Sequence, residues 1–370
     1  MQKPTLGVMT FYLNANQRLD DKKFMIQLQR AAKNMNLDLF VFTPEDVDNE
    51  KRRIYAHLYD FSQKKWKRQW RRFPDMVFDR CRYQPNKRFQ LLRKFRADYP
   101  HLIYLNRPLR NKWETHQLLY KHDSLKNNLP ETRLFTKIED VTQMLKHTGT
   151  VYIKPVNGTG GRGILKVKKK GSHVYTIQGR HMNRSIIGPV SCTLEQLTSK
   201  LNAWKKSKRL LVQQGLDLTL PNGRVHDYRM LIQKNKQGKW AVTGIAGRVG
   251  ARNSVTSNLH GGGKAADAEK LLRHWVGKSM SPGRIIREME RVAFETIKVI
   301  EKQYGKLCEL ALDLAVDRKG RVWLLEINPK PAREVFNQIG NKKIYYTAIR
   351  RPLEYSLWLW KASKKSSVTS

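Results

Sequence analysis

The chain has 370 residues, 40% of them hydrophobic, and a formal net charge of +41 from 72 Lys and Arg against 31 Asp and Glu. That length and apolar content provide for two or three packed cores and exclude a wholly disordered polymer. No apolar run approaches the roughly 20 residues of a membrane-spanning helix, so no transmembrane segment is expected. The first 17 residues lack a charged start followed by an unbroken apolar stretch. A secretory signal is therefore not expected, and synthesis is expected in the cytoplasm. Cys81, Cys192 and Cys308 show no C-x-x-C spacing and are expected to be buried free thiols. The basic excess is dispersed: residues 51–112 alone hold 19 basic and 4 acidic side chains. Such a field attracts polyanions: nucleic acid, an anionic polymer of the wall type, polycarboxylates or an anionic membrane surface. A cationic solvated surface without a dedicated partner gives the same composition.

Residues 5–12 and 37–42 have strand character, and Phe24, Met25, Leu28, Ala31, Ala32 and Met35 recur between them at helical spacing. That is a β-α-β unit of a parallel sheet. With further strands at 75–80 and 102–105 and a helix at 86–98, an α/β domain is expected over 1–110. The basic segment 50–73 is predicted to be a helical insertion, with Trp66 and Trp70 four apart and facing inward. The alternative is that these aromatics, among basic residues, stack on single-stranded nucleic acid. A helix is expected at 112–122. Strands follow at 151–155, 164–168, 210–214, 228–234 and 239–246, then an amphipathic helix at 284–303 closed by Gly305. Two more strands, 310–317 and 321–327, flank a turn at 317–320. Pro352 is predicted to start a short last helix, and the Lys/Ser-rich tail 361–370 to fray.

Lys154-Pro155-Val156-Asn157-Gly158-Thr159-Gly160-Gly161-Arg162-Gly163 fits G-x-G-x-x-G. In a dinucleotide fold that loop opens a helix, yet here Ile164-Leu165-Lys166-Val167 follows, which is β-like. Strand, glycine loop and strand instead make a flap over phosphates. Glycine allows positive φ there and lets backbone N–H groups approach the oxygens closely. Lys154 would set an ammonium against a phosphate. Walker A and protein-kinase signatures are absent.

Asp313 and Glu326 lie on adjacent predicted strands, so antiparallel pairing can set them side by side. Asn328, two residues further, faces the same way. Two carboxylates and an amide oxygen suit Mg²⁺, which shares its coordination with nucleotide phosphates.

Taken in order, Lys154 with its glycine loop, the Gln213-Gln214 pair, then Asp313 and Glu326-Ile327-Asn328 resemble an ATP-grasp enzyme over about residues 100–335. More narrowly the chain resembles the endospore coat-associated YheC/YheD-type ATP-grasp family. Asn111-Lys112-Trp113, Gly158 to Gly163, His226-Asp227-Tyr228-Arg229 and Glu326-Ile327-Asn328-Pro329-Lys330-Pro331 carry that likeness. The resemblance implies an α/β architecture with α+β character. A pre-ATP-grasp domain would span 1–110, an ATP-grasp domain of two subdomains 111–350, and a C-terminal helix and tail 351–370. It implies ATP and one or two Mg²⁺ or Mn²⁺ ions as cofactors, and a location that extends to the spore coat.

The resemblance also implies residue roles. Lys112, Lys154, Gly158, Gly160, Gly161 and Gly163 would face the phosphates. Gln213, Gln214, Gly215 and Leu216 would form the hinge along adenine, through its backbone. Asp227 and Arg229 would approach ribose and phosphate. Asp313, Glu326 and Asn328 would hold metal, while Arg248 and Asn258 would face the transferred phosphoryl group. The stretch 257–263 is similar to ribosomal-protein glutamate ligases, which carry Arg where this chain has Gly261, so one cation is missing or comes from elsewhere.

The expected activity is ADP-forming ligation of a carboxylate to an amine or related nucleophile through an acylphosphate. A coat assembly protein without turnover, a kinase and a nucleic-acid binder are the alternatives. Donor, acceptor and oligomeric state are not written in the sequence.

Overall fold

A computed structural model describes residues 3–84, 86–158, 160–206 and 208–366. Thr159 of the glycine loop and tail residues 367–370 lie outside the described residues.

The first of three sheets holds seven strands: β1 (Thr5–Met9), β2 (Asp38–Phe42), β3 (Val47–Asp48), β4 (Arg53–Asp60), β5 (Lys65–Arg72), β6 (Met76–Asp79) and β7 (Ile103–Tyr104). β2, β1, β6 and β7 run parallel in that order. Helices α1 (Lys22–Lys33) and α2 (Lys87–Asp98) accompany them. The expected β-α-β unit is present as β1-α1-β2.

The basic segment is not helical. It forms the β4–β5 hairpin, with Tyr55 opposite Trp70 and Tyr59 opposite Trp66. A spacing of four puts two side chains on one face of a strand as well as of a helix. Pairing with Arg53–Asp60, whose Ile54 and Ala56 are fully buried, decides for the sheet. Trp66 is half-buried against the first core. Trp70 is 44% exposed, its ring tilted against Tyr55 with centroids 4.9 Å apart and Arg53 4.0 Å above it, so its expected inward packing is corrected.

Helices α3 (Lys112–Tyr120) and α4 (Asp123–Lys126) lead to a six-stranded sheet: β8 (Thr132–Leu134), β9 (Thr150–Pro155), β10 (Ile164–Lys170), β11 (Val174–Arg180), β12 (Ile186–Cys192) and β13 (Leu210–Gln214). Helices α5 (Ile138–Thr148) and α6 (Leu194–Lys205) cover its core. The third sheet has five strands, β14 (His226–Lys234), β15 (Trp240–Val249), β16 (Lys264–Asp267), β17 (Glu309–Val316) and β18 (Val322–Asn328). Its core is closed by α7 (Ala268–Val276) and α8 (Pro282–Tyr304). α8 stops at Gly305, φ +78°, as expected, and starts two residues before its expected beginning, with Pro282 in its first turn.

The chain ends in α9 (Glu334–Gln338) and α10 (Lys342–Ser366). Pro352 does not open this last helix but sits inside it. A proline there leaves the carbonyl four residues earlier without its N–H partner. That carbonyl, of Ala348, accepts Gln233 Nε2 at 3.0 Å and Arg333 Nε at 3.5 Å instead. Residues 361–366 continue the helix, against the expected fraying. Ile349, Leu353, Tyr355 and Leu359 join the core of the first sheet. All three cysteines are buried and free. Among the described residues no helix is long and apolar enough to cross a membrane.

Candidate nucleotide and metal site

A cavity of about 450 Å³ lies where the three sheets meet. Its size falls within the range of small-molecule and cofactor pockets, about 300–1,000 Å³. Lys112, Lys154, Gly158, Gly160, Gly161, Gln213, Gln214, Leu216, Asp227, Arg229, Arg248, Asn258, Asp313, Glu326 and Asn328 all line it. Gly163 and Gly215 do not. The glycine loop and the acidic hairpin, far apart in sequence, therefore face one space.

The loop links antiparallel β9 and β10 as a flap. Gly160, Gly161 and Gly163 have φ of +68°, +70° and +64°, a region that residues with a side chain seldom adopt. A Cβ on Gly161 would lie 2.5 Å from Asn258 Nδ2, so glycine is also needed to bring the flap onto the 254–263 loop. Lys154, at the end of β9, is buried and donates to Gln213 Oε1 at 2.7 Å. Gln213 donates in turn to the Thr132 hydroxyl at 2.9 Å. Burial, then neighbouring Lys112, pushes the Lys154 ammonium down to about 8.

At the hinge, the N–H groups of Gln214 and Gly215 are committed to the carbonyls of Glu131 and Thr150, each at 2.8 Å. The Gln214 side chain accepts from Glu131 N at 3.2 Å.

The β17–β18 register sets Asp313 opposite Glu326, as the spacing predicts, with a bulge just after Asp313. Asn328 Nδ2 donates to Asp313 Oδ2 at 3.2 Å. Arg229 grips Asp313 with two bonds of 2.9 Å. Arg248 spans two acids: 2.7 and 2.5 Å to Asp227 and 3.1 Å to Asp313 Oδ2. Burial raises the Asp313 carboxyl, but Arg229 and Arg248 outweigh it and hold it well below the usual carboxylate range. Burial lowers the Arg248 guanidinium, and Asp227 and Asp313 outweigh that and raise it. Glu326 has a looser partner, Lys112 Nζ at 3.4 Å.

This donor set fits a hard divalent cation. Among the described residues Asp313 Oδ1 accepts only from Arg229, so it has a lone pair to spare. Glu326 holds one distant ammonium, and Asn328 adds an amide oxygen.

The space beside Gly261 is taken by another cation, which does not itself line the cavity. A Cβ there would overlap the guanidinium of Arg180, so an arginine from β11 occupies the space. Arg82, Arg162, Arg184, His260 and Lys330 line the same cavity. Arg180 and Arg184 lie on or beside β11 and β12, two strands missing from the sequence reading. Alternating Tyr175 and Ile177 after the turn glycine Gly171 is the signal that could have found β11. His226, 1% exposed, bonds the Leu218 carbonyl through Nδ1 at 2.8 Å and packs edge-on to Trp275.

The fold is that of the ATP-grasp ligases. The D-alanyl-alanine synthetase A of Vibrio cholerae superposes with a TM-score of 0.57 at 11% identity, covering 100% of this chain and 99% of that one. In sequence, the endospore coat-associated protein YheD of Bacillus subtilis is 26% identical across 96% of this chain and 79% of its own length. YheC of the same organism is 24% identical across 95% of each. Residues 101–359 match the family described as YheC/D-like ATP-grasp, and the chain belongs to that family.

Proposed function

We propose that this protein is an ATP- and Mg²⁺-dependent ligase that joins a carboxylate to an amine or related nucleophile. The observation that carries the reading is that a glycine flap, two lysines and a paired Asp313–Glu326 hairpin line one cavity of about 450 Å³. A carboxylate oxygen of the donor attacks the γ-phosphorus, the bond to the β,γ-bridging oxygen breaks, and ADP leaves. The nucleophile then adds to the acylphosphate carbon, phosphate departs, and the amine releases a proton.

In this scheme Lys112 and Lys154 take phosphate oxygens, and the flap N–H groups enclose them. Gln213 holds Lys154 in place. The hinge at 214–216 meets the base through carbonyl groups and the Leu216 N–H, since two of its N–H groups are already bonded. Asp313, Glu326 and Asn328 would hold Mg²⁺, which would neutralise charge on the phosphates. Arg248, fixed by Asp227, offers a preset positive charge to the transferring group, as electrostatic preorganisation requires. By relation to YheC and YheD we place the protein at the spore coat.

ADP release should be measured with Mg-ATP, a panel of carboxylates and amines, and Glu326→Gln beside the parent chain. Glu326→Gln is expected to lose roughly 10²-fold or more of turnover, as when a charge-stabilising group is removed. Parent-like turnover would refute the assignment. Tight ATP binding with no ADP release across the panel would favour an assembly role.

A further inference from the structure

Arg180 is 2% exposed and forms no ion pair among the described residues. It donates to the Arg184 carbonyl at 2.9 Å and to the Thr256 hydroxyl at 3.3 Å. A buried guanidinium without a carboxylate is costly. Arg184 has left-handed backbone, φ +77°, lines the cavity, and keeps a buried Nε without a partner. Its guanidinium lies against the flap, where a Cβ on Gly160 would come within 3.2 Å of Nη2. Arg162, exposed on the flap, lines the same space and has no ion pair among the described residues. Burial and then the charges of Arg162 and Arg180 lower the Arg184 pKa. His260 is lowered by burial and then by Arg184, Arg82 and Arg229. Arg162, the Arg180–Arg184 turn and His260 come from three separate segments of the chain and converge.

The nucleotide does not account for them. A magnesium triphosphate carries about two net negative charges, which Lys112 and Lys154 are placed to meet, while Arg229 and Arg248 are paired with Asp313 and Asp227. Arg162 and Arg184 are surplus, and a guanidinium fork is matched to carboxylate geometry.

We propose that Arg162 and Arg184 form a subsite for a substrate bearing at least two carboxylates, one activated at the nucleotide and another held by these guanidinium groups. Arg180 is a positioning residue that fixes the Arg184 turn and Thr256. The inference rests on the ligase reading and narrows it to a multiply anionic donor, either an acidic peptide or a small dicarboxylate.

The test is binding of labelled hexaglutamate, with hexaglutamine as control, to the full chain with Mg²⁺ and a non-hydrolysable ATP analogue at physiological salt. Hexaglutamate should bind at least tenfold tighter than hexaglutamine. Arg184→Gln and Arg162→Gln should each weaken it about tenfold, the scale of one charge-assisted hydrogen bond, and Arg184→Lys should recover part. Arg72→Gln removes an equal charge from the exposed β5 edge and should change it less than about twofold, as for an exposed surface charge. Free glutamate competing as well as the peptide assigns a small dicarboxylate; a peptide advantage assigns an acidic polypeptide.

The proposal falls if the analogue binds but glutamate and glutamine peptides bind alike. It also falls if Arg72→Gln costs as much as Arg184→Gln, or if polyphosphate displaces the peptide at lower concentration than glutamate polymers do. If the parent chain does not bind the analogue, the ligase reading fails first and takes the subsite with it.

Discussion

Asp313 accepts four hydrogen bonds, three of them from arginines, and is almost wholly buried. Removing one partner from such a cluster strands the others, at about 3–5 kcal/mol. Asp313→Asn is therefore expected to lower stability together with activity, read as a drop in the denaturation midpoint. Among the described residues Glu326 has one ion-pair partner, and its side chain is 25% exposed, so Glu326→Gln should remove turnover with little loss of stability. Lys154 gives a pH test. In the folded chain it deprotonates near pH 8, against 10.5 for an ordinary lysine. Below 8 both folded and unfolded chains hold the proton. Between 8 and 10.5 only the unfolded chain does, so nucleotide-free stability should rise with pH across that window. Affinity for a triphosphate should fall as pH passes 8, because the ammonium is lost. Paired denaturation and nucleotide titrations check the opposite signs; parallel trends would contradict the assignment. Asp313, Glu326 and Asn328 were legible because short spacings bring them together along paired strands, and Lys154 because it directly precedes the glycine loop. The Arg229 and Arg248 bonds to Asp313 were not, because they join β14, β15 and β17 across the sheet.

Among the elements, the flap and the acidic hairpin follow directly from their strand patterns. The β4–β5 hairpin does not: Trp66 and Trp70 suit a helix and a strand alike, and only pairing with β4 separates the two. Pro352 misled for a related reason, since tertiary partners Gln233 and Arg333 supply what the helix lacks at Ala348. Gly261 shows how two elements depend on one another. Its absent side chain is the room that Arg180 fills. Gly261→Ala should cost about 1–3 kcal/mol by overpacking. Combined with Arg180→Ala, the pair should cost less than the sum of the single changes, because the clash and its cause vanish together. Additive costs in chemical denaturation would contradict the contact.

At the scale of the whole molecule, the first and third sheets are tied by a buried cluster. Glu309, fully buried, accepts Arg80 Nη1 at 2.8 Å, Gln233 Nε2 at 2.9 Å, and Arg333. Arg80 also reaches the Pro331 carbonyl at 2.8 Å, three residues past the end of β18. Glu309→Gln leaves two buried guanidinium groups short of a counter-charge and should destabilise by about 3–5 kcal/mol. It should also lower nucleotide affinity, since β18 and the 329–332 segment line the cavity. Calorimetry with a nucleotide titration checks both; an unchanged transition would show the cluster to be dispensable.

The central claim is that the 156–163 flap and the Asp313–Glu326 hairpin close on one triphosphate. A crystal structure with Mg²⁺ and a non-hydrolysable ATP analogue tests it most directly. The analogue is predicted to lie with its phosphates between the flap and Lys112, Lys154 and Glu326, and with metal at Glu326 and Asp313. Phosphates bound elsewhere, or a metal held by neither carboxylate, would contradict it.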